Sequence, residues 1–271
     1  MPELPEVETI KRDLNRLIVG RQILAMTTNS PKQVKPSLVV VKKAVMGAKI
    51  RKIERRAKLI QIFLNNGQVL AIHLKLTGRL LVRKKNTPKD DWQHVTFSLS
   101  GNQELRFCDL RKFGWVRLLK NEQELKELLA EFGPEPLTSL DLKQFEAILA
   151  TTRRAIKIVL MDQKKISGVG NIYANDALFL ARIDPRRPAN KITDPETKKL
   201  YQAIEKVLQA GIKYRGASDQ YYLDALGKKG AYQEHFLTYG RQGKPCFDCG
   251  GTIKRIKIGG RGTFFCPECQ K

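Results

Sequence analysis

GPEPLTS, residues 133–139, divides the chain into two parts whose residue patterns have different periods. One glycine and two prolines within seven positions punctuate the chain. Just upstream, EQELKELLAEF (122–132) reads as a short helix. Before it, from about 22 to 120, come β-rich runs such as VLAIHLKL (69–76), HVTFSLS (94–100) and GWVRLL (114–119). Turn signals at Asn65-Asn66-Gly67 and Ser100-Gly101-Asn102 separate them, a spacing that predicts a β-sandwich or barrel. Downstream, LKQFEAILA (142–150), RRAIKIVLMDQ (153–163), NIYANDALFLA (171–181) and PETKKLYQAIEKVLQAGIKY (195–214) have helical periodicity. The opening, residues 3–19, is a further amphipathic helix. Leu4, Val7, Ile10, Leu14, Leu17 and Ile18 fall near one face, and Gly20 supplies the stop. The expected class is α+β. An N-terminal β-sandwich flanked by helices (1–131) leads through a hinge (132–139) to a helical domain (140–240) and a metal module (241–271).

Fifty Lys and Arg against 27 Asp and Glu leave a formal charge of +23. A folded chain this basic points to a polyanionic partner, and nucleic acid is the expected one. No apolar run reaches the roughly 18 residues that span a bilayer. The first twenty residues carry four acids and no apolar core of the signal-peptide kind, so a cytoplasmic protein with no membrane partner is expected. Cys108 stands alone in a β-rich run and reads as a small buried hydrophobe.

The other four cysteines are grouped. Cys246-x2-Cys249 and Cys266-x2-Cys269, 16 residues apart, have the spacing of a four-thiolate zinc site. Each pair puts two sulfurs on one tight turn, so two pairs complete a tetrahedron. One closed, structural Zn2+ is expected. The intervening TIKRIKIGGRGTFF reads as a hairpin decorated by Lys254, Arg255, Lys257 and Arg261, either a solvated face or a grip for phosphates. A second anion site is suggested at KKISGVGNIYAND (164–176), where a glycine-rich turn precedes a helix. A plain helix start explains GVGN equally well, although the basic RRAIK upstream favours phosphate.

MPELPEVET raises a chemical possibility. Removal of Met1 would leave Pro2 as a free secondary amine at a helix start, where the dipole disfavours the ammonium form. Such an amine attacking a sugar aldehyde carbon gives a charged iminium, an electron sink suited to β-elimination. Glu3 and Glu6 would stand beside it as acid–base groups. The plain reading is that proline and acids simply favour the first turn of a helix.

PELPEVET, HLKLTGRL, DLRKFGW, GPEPL, AIKIVLMDQKKISGVGNIYAND and YGRQGKPCFDCG…GRGTFFCPECQK together resemble bacterial formamidopyrimidine-DNA glycosylase, in order over essentially the whole chain. The resemblance implies a β-sandwich, a helix–two-turns–helix domain and a zinc finger, with DNA in a cleft between them. It also implies excision of oxidised purines, chiefly 8-oxoguanine and formamidopyrimidines, followed by β,δ-elimination at the abasic site. By the same resemblance Pro2 is the Schiff-base nucleophile and Glu3 the proton donor that opens the sugar ring. Lys58 serves β-elimination, and Arg261 serves δ-elimination and the flanking phosphates. Lys157 and Asn171 match strand-contacting positions, and His94 and Arg111 are further DNA contacts. Segment 216–232 corresponds to the loop that closes over the everted base.

A damaged base is out of reach inside the stack, so it must be flipped out and the hole filled. Leu76, Arg111 and Phe113 match the three filling side chains, although Phe113 alone reads as a core strand residue. Leu76 stands where the family usually has methionine. Trp92 stands where a phosphate-binding histidine is usual in the family, and stacking or donation from its indole N–H is the DNA contact expected of it instead. A relative resembling endonuclease VIII, acting on oxidised pyrimidines, usually opens PEGPE instead. A non-catalytic zinc-ribbon binder explains the charge and cysteines but gives no reason for PELPE. A monomer acting on double-stranded DNA is the expected form.

Overall fold

A computed structural model describes residues 1–271, which form two compact units. The first comprises Met1–Glu131 and Tyr214–Ala231, the second Phe132–Lys213 and Tyr232–Lys271. The expected helical domain 140–240 is therefore interrupted, because eighteen residues after its last long helix belong to the N-terminal unit.

In the first unit, α1 (Leu4–Ile18) precedes β1 (Ile23–Thr28), β2 (Val34–Lys35) and α2 (Leu38–Val45). There follow β3 (Ile50–Arg56), β4 (Leu59–Leu64), β5 (Val69–His73), β6 (Gly78–Lys84), β7 (Gln93–Leu99), β8 (Gln103–Asp109), β9 (Trp115–Leu119) and α3 (Glu122–Leu129). The strands make two sheets in the orders β1-β7-β8-β6 and β2-β9-β5-β4-β3, antiparallel except for the β2–β9 pair. Val95, Phe97, Leu105 and Phe107 of one sheet share a core with Ile53, Ile60, Ile62, Ile72 and Val116 of the other. That is the expected sandwich. Val7, Ile10, Leu14 and Ile18 of α1 join the same core, while Leu17 is only half-buried against it. Cys108 is buried in β8, where burial pushes its thiol up to about 12. Helix α2 was not foreseen; its valine run has strand propensity, but Ser37 caps it by accepting from the Val40 N–H.

Residues 214–231 are built into this unit. Arg215 donates to Asp13 on α1 and to Asp224 within the segment, both at 2.6 Å. Tyr222 and Ala225 lie in the sandwich core, and the Val82 N–H donates to the Ala225 carbonyl.

The second unit contains α4 (Leu142–Ala150), α5 (Ile156–Met161), α6 (Asn171–Leu180), α7 (Asp194–Lys213), β10 (Lys254–Ile258) and β11 (Arg261–Phe265). The stretch expected as a hinge is a tied corner within it. The N–H groups of Thr138, Ser139 and Leu140 all donate to the Glu135 carbonyl, and Ser167 bonds Gly133 and Pro134. Arg153 and Arg154 precede α5, so they lie in a turn and not on a basic helix.

Candidate active site

At the start of α1 a reciprocal capping box fixes the chain. Glu3 is the N-cap, and its N–H donates to Glu6 Oε2 at 2.7 Å. The other oxygen of Glu6 accepts from the Ala217 N–H at 2.8 Å. Gly216 makes that approach possible: its φ is +85°, and a Cβ there would meet Glu6 Cγ at 2.8 Å. Glu6 is buried, with each oxygen facing a backbone donor. The residue expected as an acid–base group thus accepts a backbone hydrogen bond on each oxygen. A carboxylate held between two fixed amides is a brace, joining the first turn to segment 214–231. Glu3 is also buried, and Pro2 lies buried beside the exposed Met1.

Lys58 occupies the tight turn between β3 and β4 and is 6% exposed. Helix α1 straps this turn down: Arg55 Nε donates to Glu8 at 3.0 Å while Arg55 Nη1 donates to the Ala57 carbonyl at 2.9 Å. Burial pushes the Glu8 carboxyl up, but the hydrogen bonds from Arg12 and Arg55 outweigh it and the net shift is downward. Across the next strand pair, Leu59 faces His73, a residue the sequence did not single out. Burial, with Lys75 and Lys58 nearby, lowers His73 to about 3. It is therefore neutral near pH 7, and its Nδ1 accepts from the Lys75 N–H at 3.0 Å, which leaves the hydrogen on Nε2.

Phe113 is 53% exposed at the tip of the β8–β9 turn, with the Arg111 guanidinium 4.7 Å from its ring centre. It is not a core residue. Leu76 is half-buried in the neighbouring β5–β6 turn. His94 spends both ring nitrogens on the protein, 3.0 Å from Asn29 Oδ1 and 3.0 Å from the Asp109 carbonyl. The residue expected as a DNA contact thus ties the β1 end to the end of β8. Trp92 packs edge-on against Tyr221 at 6.0 Å, with Arg79 over its ring. Arg79 also donates to the Tyr221 carbonyl at 2.6 Å. The residue that departs from the family pattern therefore meets segment 214–231.

In the second unit, the GVGN turn leads into α6, with Gly168 at φ +93° and Asn171 half-buried at the first helical position. Lys157, expected as a strand contact, faces the protein interior. It is wholly buried, and its ammonium donates to Asn175 Oδ1 (3.1 Å), the Gly262 carbonyl (3.0 Å) and Thr263 Oγ1 (2.8 Å). Asn175 Oδ1 also accepts from the Phe264 N–H at 2.8 Å, so helices α5 and α6 hold the β10–β11 hairpin through one buried cation. Arg261 opens β11 beside the Gly259-Gly260 turn, and Lys254, Arg255, Lys257 and Arg261 are all exposed.

The four clustered thiols fit one metal ion. Their sulfurs all lie within 4.8 Å of one another, with Cys246–Cys269 at 3.8 Å and Cys249–Cys266 at 3.5 Å. A tetrahedral ZnS4 centre with bonds of about 2.3 Å needs sulfurs roughly 3.8 Å apart. Four cysteines and no further ligand describe a closed structural site.

Family models match three stretches: the formamidopyrimidine-DNA glycosylase N-terminal domain at residues 1–116, its H2TH domain at 132–222, and the zinc finger found in FPG and IleRS at 243–271. The formamidopyrimidine-DNA glycosylase of Pelotomaculum thermopropionicum is 42% identical over 275 residues, covering 100% of this chain and 99% of its own. That of Laribacter hongkongensis is 40% identical over 272 residues and fully covered on both sides. Among solved structures, the Lactococcus lactis Fpg bound to DNA containing an abasic site superposes with a TM-score of 0.94 at 35% identity, covering 99% of each chain. The same protein with N7-benzyl-Fapy-dG DNA gives 0.94 at 35% identity over the full length of both. Family models that tile nearly the whole chain and relatives identical at four residues in ten agree: this chain belongs to the formamidopyrimidine-DNA glycosylase family.

Proposed function

We propose that the protein is a bifunctional DNA glycosylase and abasic-site lyase for oxidised purines, with Pro2 as its covalent nucleophile. Once Met1 is removed, the Pro2 nitrogen attacks C1′ of the damaged nucleotide and the base leaves with the bond electrons. The nitrogen gives up its proton, the C1′–O4′ bond breaks with its electrons going to O4′, and the nitrogen lone pair forms an iminium that has no N–H to lose. The cationic iminium acidifies C2′; a base removes that proton, the freed electron pair forms the C2′–C3′ double bond, and the 3′ phosphate departs in β-elimination, with loss of the 5′ phosphate following as δ-elimination. Glu3 protonates the opening sugar ring. Lys58 assists the first elimination, and Arg261 assists the second while holding phosphates. Leu76, Arg111 and Phe113 fill the space that the everted base vacates. Asn171 and the exposed cations of the finger hairpin grip the strand.

One observation carries this reading. The first turn of α1 is held by its own capping box and by segment 214–231 through the single carboxylate of Glu6, so the amine and its acid are presented on a rigid support. The lesion class is supported by the Lactococcus lactis relatives, solved with abasic-site and Fapy-dG DNA. One was also solved with oxidised-pyrimidine DNA, so pyrimidine lesions belong in the test. Zinc stabilises the finger and takes no part in the chemistry. The protein works as a monomer on double-stranded DNA in the bacterial cytoplasm, bound to the nucleoid; no helix is long and apolar enough to cross a membrane.

The test is borohydride trapping on duplexes carrying 8-oxoguanine, a formamidopyrimidine or an oxidised pyrimidine. Wild-type protein with Met1 removed is expected to give a covalent adduct, strongest with the purines, and Pro2→Gly to give none. An adduct that mass spectrometry locates on another residue overturns the assignment.

A further inference from the structure

The two turns that present Leu76 and the Arg111–Phe113 pair are separated by more than thirty residues, yet one buried carboxylate organises both. Asp109 is fully buried. Its Oδ1 accepts from Thr77 Oγ1 at 2.5 Å and from the Arg111 N–H at 3.3 Å. Its Oδ2 accepts from the Gly114 N–H at 2.7 Å and from the Gln33 amide at 3.4 Å. The Arg111 N–H is shared with Thr77 Oγ1 at 3.1 Å, which makes Thr77 both donor and acceptor at the junction. Gly114 completes the turn: a Cβ there would meet Phe107 Cζ at 2.7 Å and the His73 carbonyl at 2.8 Å. The turn is thus closed at both ends on Asp109, and what projects from it is the half-exposed Phe113 ring with Arg111 stacked on it.

We infer that Asp109 and Thr77 are positioning residues which fix the register between the two tips, so that Leu76, Arg111 and Phe113 enter a duplex as one rigid wedge. This rests on the wedge assignment made under the proposed function. Side chains that must unstack a base pair work only if they arrive together at a set spacing; a floppy tip loses ordering entropy at the moment of insertion. Thr77 sits one residue from Leu76, and Asp109 two residues from Arg111. A hydroxyl–carboxylate bond between them sets the distance directly.

The experiment compares a duplex with a substrate that has no stack to open. Thr77→Val keeps the shape of the side chain and removes the hydroxyl; Thr77→Ser keeps the hydroxyl. Single-turnover excision of 8-oxoguanine from a duplex is expected to fall between tenfold and a hundredfold in Thr77→Val, about the loss of one hydrogen bond to a charged acceptor. Borohydride trapping on a single-stranded abasic oligonucleotide is expected to stay within about twofold of wild type, and Thr77→Ser to recover most of the duplex rate. In a Phe113→Ala background, Thr77→Val is expected to add little further loss. An equal loss on both substrates, an unchanged duplex rate, or full additivity with Phe113→Ala overturns the inference. Failure of the Pro2 assignment looks different, because it abolishes or relocates trapping on both substrates in otherwise unaltered protein.

Discussion

The two units hold their projecting parts by opposite means. In the sandwich unit, buried carboxylates gather backbone and side-chain donors: Glu6 takes the Glu3 and Ala217 amides, Asp109 ties two turns, and Asp13 and Asp224 share Arg215. In the second unit a buried ammonium, Lys157, and four thiolates hold the hairpin. Size explains much of the difference. The sandwich has two sheets and a helix around one continuous apolar core, and such a core provides a dry, rigid frame in which charges can be fixed. The apolar cluster at the finger buries just Ile253, Cys246 and Cys266 with Phe179 of α6, and Leu237, Phe264 and Cys269 pack against it half-buried. A module of that size needs a covalent or metal crosslink to fold.

Zinc removal should separate the units most sharply. A chelator is expected to remove on the order of 10 kcal/mol from the finger. Hydrogen exchange should then show residues 241–271 unprotected and duplex binding lost, with β4, β5 and β8 still protected. Loss of the sandwich as well would mean that the two units do not differ in this way. The reciprocal test is Phe107→Ala, which empties a fully buried site beneath the Gly114 turn. It is expected to cost about 3–5 kcal/mol, read by denaturant unfolding of the sandwich, with the zinc content unchanged.

Lys157→Met sharpens the contrast within the second unit. It leaves Gly262 and Thr263 without their buried donor and is expected to cost about 3 kcal/mol, visible as faster exchange in β10 and β11. Smaller again is a pH effect. Folded His73 resists protonation down to about 3, whereas the unfolded side chain protonates near its ordinary 6.5. Its contribution is therefore complete above pH 6.5 and drains away as pH falls toward 3. Between pH 6.5 and 5 this amounts to roughly 2 kcal/mol, and His73→Gln should flatten that part of the Tm–pH curve. At the bottom of the scale, Lys52→Met breaks an exposed pair with Glu54 and is expected to change stability by less than about 0.5 kcal/mol.

Period and punctuation made the elements legible. Residues 142–150 form a helix over the length their pattern predicts, the Asn65–Gly67 and Ser100–Asn102 turns join strands as expected, and the cysteine spacing foretold the thiol cluster. Helix α2 was hidden because Val39, Val40 and Val41 carry strand propensity, and only its surroundings decide otherwise. At the site, PELPE signalled a helix start, and α1 begins there, behind a capping box that the sequence reading did not name. The signal stopped short of saying that Glu6 accepts from Ala217, or that Lys157 faces inward.

Short-range spacing and motifs of a few residues already carry the two-part organisation, the sandwich, most of the helices, the zinc ligands and the family. Tertiary structure alone decided that segment 214–231 rejoins the first unit and which charged side chains serve as braces. Glu6 meets Ala217 across 211 positions, Lys157 meets Thr263 across 106, and Thr77 meets Asp109 across 32. A buried hydrogen bond depends on where the folded chain delivers its partner, and no local pattern of residues records that.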